Sequence, residues 1–345
     1  MDFIEGMQLL ACTCIGFLMV DIVIHGLQKI PNPGEITYVG RDFAISTGGH
    51  AINVPIDLVK LGLDPKTIMV VGAVGSDPFG SYVLSVISKY GFVSNIFVSH
   101  TTGTGKNVIL VEEGQDRRFI IATGANEDLP ANFVRRVLAS VESYVTYLAI
   151  GFLGEVDSAA ADIASDVRSK SIVFLDFVIP PSKAPRKREE IFRAACSAHI
   201  LHCNVGELKY LTNAESIKDG AKRLIDEGTS IVLVTLGSKG AYLLTKDLTI
   251  FQPAFRVDAV DPTGAGDAFS AGIIYWLIKH EIRSPHNIGS LDEGDLVEML
   301  MFAQATGASA TTGAGAATAV SIENVMSLIR EQGERISEMT SVKKR

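Results

Sequence analysis

Cysteine is scarce: Cys12, Cys14, Cys196 and Cys203 are the only four in 345 residues. A scaffold stapled by disulfides needs far denser cysteine, so that class is excluded and a reducing, cytoplasmic setting is expected. All four lie in apolar runs that read as strands. Positive charge is also short, with 31 Lys and Arg against 39 Asp and Glu and a formal net charge of -8. That balance, with an isoelectric point near 5.4, leaves no broad basic footprint for nucleic acid, and any bound anion needs a focused site. Long apolar runs are missing too. The uncharged stretch Gly6 to Val20 is short, below the roughly 20 residues that cross a bilayer. Asp2 and Glu5 stand where a signal peptide has basic residues, so a buried strand is expected there and no membrane partner.

Several catalytic signatures fail. GTGKN around Lys106 lacks the glycine and the hydroxyl of a phosphate-binding P-loop, because His100 and Asn107 occupy those positions. VGAVGSDPFG does not carry the glycine spacing of a dinucleotide site. Gly-x-Ser-x-Gly and His-Glu-x-x-His are both missing, so hydrolase chemistry has no anchor. Cys196, His199, His202 and Cys203 crowd together, but strand alternation turns His199 and Cys203 away from His202, and buried strand residues are expected in place of a zinc set.

What the chain does contain is apolar material, 47% of residues, spread over short runs. Leu9–Phe17, Thr67–Val71, Val145–Ile150, Ser171–Leu175, His199–Cys203 and Ser230–Thr235 alternate with segments of helical length. These are Gly49–Leu61, Pro78–Tyr90, Pro130–Ser140, Ser158–Arg168, Arg188–Ala195 and Ile217–Glu227. Strand then helix, repeated, predicts an α/β fold with a mainly parallel sheet covered on both faces. Two strand-rich stretches break the rhythm, about residues 21–47 and 97–122, the second a hairpin of KNVILVEE and DRRFIIAT around Gly114. They predict a small separate sheet acting as a lid. The patch KAPRKREE reads as flexible, and the tail Lys343–Arg345 as frayed.

The chemistry concentrates in VDAVDPTGAGDAFSAG, where a small-residue turn runs into an amphipathic helix near Asp267. Backbone N–H groups of Gly264, Ala265 and Gly266 can converge on an anion at the helix N-terminus. A carboxylate set in such a nest is placed to take the proton of a hydroxyl attacking a phosphoryl group, whereas the plainer alternative makes Asp267 a helix cap.

DPTGAGD followed by AFSAG resembles the C-terminal signature of the ribokinase-like (PfkB) family of carbohydrate and nucleoside kinases. STGGHAIN, with Gly48, Gly49 and Asn53, is similar to the family's N-terminal Gly-Gly motif, and Asp21 stands where the family places a carboxylate for substrate hydroxyls. The resemblance implies a single three-layer α/β/α kinase domain over residues 1–345 with a β-sheet lid. It implies Asp267 as catalytic base, Gly264–Gly266 as anion hole, and ATP with Mg²⁺ as cofactors. Asn204 and Glu207, in Asn-Val-Gly-Glu, are similar to the family's Asn-x-x-Glu element, which organises Mg²⁺ through water. Thr235, Gly237, Ser238 and Gly240 match its nucleotide loop. ASATTGAGA, with Gly315, resembles the adenine-side loop, and Asp261, Thr263, Ala310 and Gly315 would supply a K⁺ site. A homodimer through the lid is implied on the same ground.

His50 departs from the residues usual after Gly-Gly, so it is expected to face substrate or phosphates. LDFVIPPSK keeps Asp176 but not the Asp-x-Asn-x-Arg run of fructokinase-like members. Lys106 and Arg118 in the lid would suit a phosphosugar, whereas Phe17, Tyr38, Phe43 and Phe119 could stack a nucleoside base. The expected function is therefore ATP-dependent phosphorylation of a sugar. A nucleoside or phosphosugar kinase is the alternative within enzymes, and a catalytically silent sugar-binding regulator the alternative outside them.

Overall fold

Runs of Val, Ile and Leu with alternating outlets fix the strands. In the computed structural model, which describes residues 8–40, 43–112, 114, 117–179 and 185–344, the strands are β1 (Gln8–Ile15), β2 (Met19–Leu27), β3 (Ala44–Gly48), β4 (Ile68–Gly75), β5 (Val93–Ser99), β6 (Gly105–Glu112), β7 (Arg118–Ala122), β8 (Val141–Ile150), β9 (Ile172–Phe177), β10 (Ile200–Asn204), β11 (Ile231–Thr235), β12 (Ala241–Leu244), β13 (Leu248–Gln252) and β14 (Ser341–Lys344). Ten form one sheet, in the order β14-β13-β12-β11-β10-β9-β8-β1-β4-β5. The strands from β11 to β5 run parallel, and β12, β13 and β14 add antiparallel at the other edge.

Both faces of this sheet are covered, and β9 shows why its strands read as unbroken apolar runs. Ile172 and Phe174 enter one core, packed by helices His50–Lys60, Ala265–Lys279 and Glu293–Ala310. Val173, Leu175 and Phe177 enter the other, packed by helices Ala131–Ser140, Glu155–Val167 and Val205–Thr212. This is the predicted three-layer α/β/α arrangement.

The lid is a separate four-stranded sheet, β3-β2-β6-β7. Its central pair, β2 and β6, is parallel, while β3 and β7 add antiparallel. Residues 97–99, expected in the lid, instead close β5 of the large sheet, and the lid strands resume only at Gly105.

Other expectations are corrected. The tail does not fray: Lys343 and Lys344 pair with Thr249 and Leu248, and Val342 packs on the core. The open edge of β13 offers backbone groups that a short alternating segment can satisfy; Arg345 lies outside the described residues. The KAPRKREE patch turns helical at Pro185, since proline fits the first helical position, and its first two residues are not among those described. Cys196 ends that helix and is not in a strand. The helix expected to be amphipathic near Asp267 starts at Ala265 and is buried on nearly every side, because it lies between the helices His50–Lys60 and Glu293–Ala310.

Candidate active site

The carboxyl ends of the parallel strands bring the motif residues to one edge, where chain order reverses at β1 between β8 and β4. Open α/β sheets bind ligands at such a switch point. Gly264, with φ of 78°, caps the helix Ala265–Lys279, and a Cβ there would press on Ala316. Asp267 follows in the first turn and is buried. Its Oδ2 accepts from Asn53 Nδ2 at 2.8 Å, so the two sequence motifs meet side chain to side chain. His50 Nε2 lies 3.5 Å from the other carboxyl oxygen. Burial pushes the Asp267 carboxyl up, and His50 and Asn53 offset this only in part, leaving it above the usual carboxylate range.

Gly49 holds φ of 96° ahead of the helix His50–Lys60, where a Cβ would run into the Phe17 carbonyl. Gly48 lies against the Asp21 carboxyl so closely that any side chain would overlap it. Asp21 is buried on β2 and accepts from Asn107 Nδ2 at 3.1 Å. Burial, with the charges of Asp267 and Asp261, pushes its carboxyl up to about 6, while the Asn107 bond opposes them.

Lys106 is directed elsewhere. Strand alternation that aims Asn107 at Asp21 sends Lys106 to the opposite face, where its Nζ donates to the Thr104 carbonyl at 2.8 Å, stands 3.8 Å from Asp77 and lies over Phe79. Arg118 pairs with Glu112. Of the aromatic candidates, Phe17 is buried against His50 and Phe152, whereas Tyr38, Phe43 and Phe119 are exposed on the lid.

Where the sequence places the nucleotide loop, a cavity of about 780 Å³ runs from Thr235, Gly237, Ser238 and Gly240 to Gly266 and Phe269 of the helix Ala265–Lys279. Asn204 and Glu207 form a reciprocal capping box on the helix Val205–Thr212: each backbone N–H donates to the other's side chain. Burial raises the Glu207 carboxyl, and the nearby Asp176 carboxylate adds to that. No group of three or more potential metal ligands exists among the described residues. This donor set fits a divalent ion that arrives with phosphates and keeps its waters better than one caged by protein.

Asp261 accepts from Thr263 N, Thr263 Oγ1 and Gly315 N, at 2.9, 2.6 and 2.9 Å. Of the expected K⁺ ligands, Ala310 is buried at a helix end, and Thr311 supplies the carbonyl beside this loop, accepting from Val260 N and Asp261 N. Arg117, from the lid, pairs with Asp261 at 2.7 Å.

His202, expected as a buried strand residue, does more than pack. In the structure its Nδ1 lies 2.9 Å from Asp176 and 3.1 Å from Ser270 Oγ, and its Nε2 3.3 Å from Thr235 Oγ1. Burial opposes both charges, yet their attraction holds Asp176 below the usual carboxylate range and His202 above the usual imidazole range. Ser, His and Asp here are no nucleophilic triad, for Ser270 is fully buried. The group sits one turn after Asp267 and braces its helix. Asp176 at a strand end was the available signal.

Comparison with known proteins matches residues 10–323 to the pfkB family of carbohydrate kinases. A deoxyribokinase of Salmonella typhi is 28% identical over 272 residues, covering 77% of this chain and 85% of that protein. The structure of ribokinase from Giardia lamblia superposes with a TM-score of 0.79 at 21% identity, over 95% of this chain and 99% of that one. A putative ribokinase II from E. coli, in complex with ATP and Mg²⁺, gives 0.73 at 21% identity, over 94% and 99%.

Proposed function

Because the chain belongs to the pfkB family of carbohydrate kinases, and is thereby a phosphotransferase with an alcohol acceptor, we propose that it moves the γ-phosphoryl group of ATP onto a hydroxyl of a free sugar, with Asp267 as base. The observation that carries this reading is the Asn53–Asp267 hydrogen bond, which joins the polyol-binding motif to the carboxylate beside the anion hole. The acceptor is oriented by Asp21, Gly49 and Asn53. Asn107 Oδ1, buried without a hydrogen-bond partner, offers a further acceptor for a sugar hydroxyl. Asp267 takes the proton as the oxygen attacks, and the N–H groups of Gly264 to Gly266 meet the developing charge.

ATP lies in the cavity walled by Thr235, Gly237, Ser238 and Gly240 and directs its phosphates at Gly266. Asn204 and Glu207 would hold Mg²⁺ through water, and the ion would supply charge neutralisation at the phosphates. With Lys106 turned toward Asp77, the free-sugar reading is favoured over the phosphosugar one. Among the described residues no helix is long and apolar enough to cross a membrane. All four cysteines are free thiols, which fits the expected reducing setting.

The lid also supports a homodimer. Ile45 and Ile120, in one cross-strand row with Ile22 and Val108 on the face of the lid away from Asp21, expose 52% and 61% of their surface, an apolar display that a second copy would cover. Sedimentation of wild type against Ile120→Asp tests it: a shift from dimer to monomer is expected, and a monomeric wild type would dismiss it.

ADP release from MgATP, measured across free sugars, sugar phosphates, sugar acids and nucleosides, tests the function. Asp267→Asn is expected to lower turnover by about 10² or more while still binding nucleotide. A wild type that binds ATP but turns over no acceptor would favour the silent regulator.

A further inference from the structure

The loop ahead of the anion hole carries a carboxylate whose charge is met from the lid. Three hydrogen bonds make Asp261 the splice between the turn at Thr263 and the loop at Gly315. A fourth partner comes from far away in the chain: Arg117 Nη1 donates to Asp261 Oδ1 at 2.7 Å and also to Thr263 Oγ1. Arg117 immediately precedes β7, the outer strand of the lid. Its guanidinium lies over the ring of Phe119, 5.6 Å from the centroid. The two side chains expose only 19% and 16% of their surface, so the pair is shielded more than an ordinary surface ion pair, whose worth is small. Burial raises the Asp261 carboxyl, and the Thr263, Gly315 and Arg117 contacts more than reverse this, leaving it below the usual range.

A carboxylate held by several donors and partly desolvated needs a counter-charge. Residue 261 is followed within three positions by the first N–H donor of the anion hole, Gly264. Whatever neutralises Asp261 therefore also sets the turn that aims those donors. We propose that Arg117 is a positioning residue which ties anion-hole geometry to the lid, its guanidinium supplying at Asp261 the positive charge for which a monovalent cation would otherwise be required. The idea rests on the kinase reading above for its catalytic consequence, but not for the contact itself. It makes turnover independent of added K⁺ and dependent on the lid lying over the site.

The test compares wild type, Arg117→Ala and Arg117→Lys in buffer free of alkali cations, with MgATP and an accepted sugar, then with KCl or guanidinium chloride added at low millimolar levels. Wild type is expected to turn over without K⁺. Arg117→Ala should lose about tenfold or more in kcat, with the sugar KM changing far less, as for a misplaced but intact site. Either added cation should restore much of that loss, and Arg117→Lys should fall between the two. Arg117→Ala turning over within about twofold of wild type, a loss that no cation repairs, or a wild type that needs K⁺ would each overturn the proposal. A second arm needs no catalysis: hydrogen exchange of the ligand-free protein should show faster exchange in β7 and residues 263–266 of Arg117→Ala. Unchanged protection there would dismiss the tie. Should wild type phosphorylate nothing, the kinase reading fails while the exchange arm still decides the contact.

Discussion

His50 Nε2 stands 3.5 Å from Asp267 Oδ1, and that oxygen is buried without a hydrogen-bond partner. The interaction is electrostatic, and it holds down a carboxyl that burial pushes up. Asn53, Asp176 and His202 also act on Asp267, but His50 is the first of the groups that lower it. Asp267 is proposed as the base, and a base must be deprotonated to work, so raising its pKa would remove activity from the acid side. His50→Ala is therefore expected to shift the acid limb of the kcat–pH profile to higher pH, with a larger loss at about pH 6 than at about pH 8. An acid limb that stays in place would separate His50 from the base.

Gly48 is fixed by what it leaves room for. A Cβ would overlap the Asp21 carboxyl, so Gly48→Ala should displace the group that is proposed to receive sugar hydroxyls. Sugar KM is expected to rise about tenfold or more, as when a site's polar group loses its partner, with ATP affinity nearly unchanged. Calorimetric titration with each ligand separately checks the division. Equal losses for both ligands would point to general misfolding.

Asp21 gives a stability test with a definite sign. Its carboxyl keeps its proton to about 6, above an unfolded carboxylate, so the folded state binds the proton more tightly. Ionisation then works against folding. That cost is absent below the unfolded value and is complete above the folded one. Asp21→Asn, which never ionises, should gain a few degrees of Tm relative to wild type at about pH 8 compared with about pH 4. Thermal unfolding at the two values is sufficient, and an identical difference at both would remove Asp21 from the account.

The Asp176–His202–Ser270 brace behind Asp267 should be costly to half-remove. His202→Ala leaves the Asp176 charge buried without its imidazole, a loss of about 3–5 kcal/mol by comparison with other buried pairs. Asp176→Asn together with His202→Ala should cost less than the two single changes summed, because the stranded charge is gone. Urea unfolding of the three variants measures the coupling; strict additivity would show the pair to be independent.

The layers of the fold were legible because each strand and helix announces itself locally, as β9 does with six consecutive buried residues. Asp267, Asn53, Gly48 and Gly49 were legible for a related reason: each belongs to a short motif. Arg117, Asn107 and His202 were not. Arg117 reaches Asp261 across 144 positions and Asn107 reaches Asp21 across 86, so nothing near them in sequence marks the partner. Lys106 stands out by its charge, yet a single step along β6 decides which side chain faces Asp21 and the proposed sugar site. The tail misled because its charges hid a strand-like alternation that only the exposed edge of β13 makes useful.

The bond from Asn53 to Asp267 spans 214 positions, and so closes one of the widest circuits in the chain. Closing such a circuit is entropically slow, and it is rewarded only once the intervening strands have docked. Neither half of the chain, folded by itself, holds both Asn53 and Asp267, the proposed acceptor-facing amide and base. Recovery of catalysis after dilution from denaturant should therefore trail the recovery of helical signal, which makes enzymatic activity a clock for the final assembly of the native state.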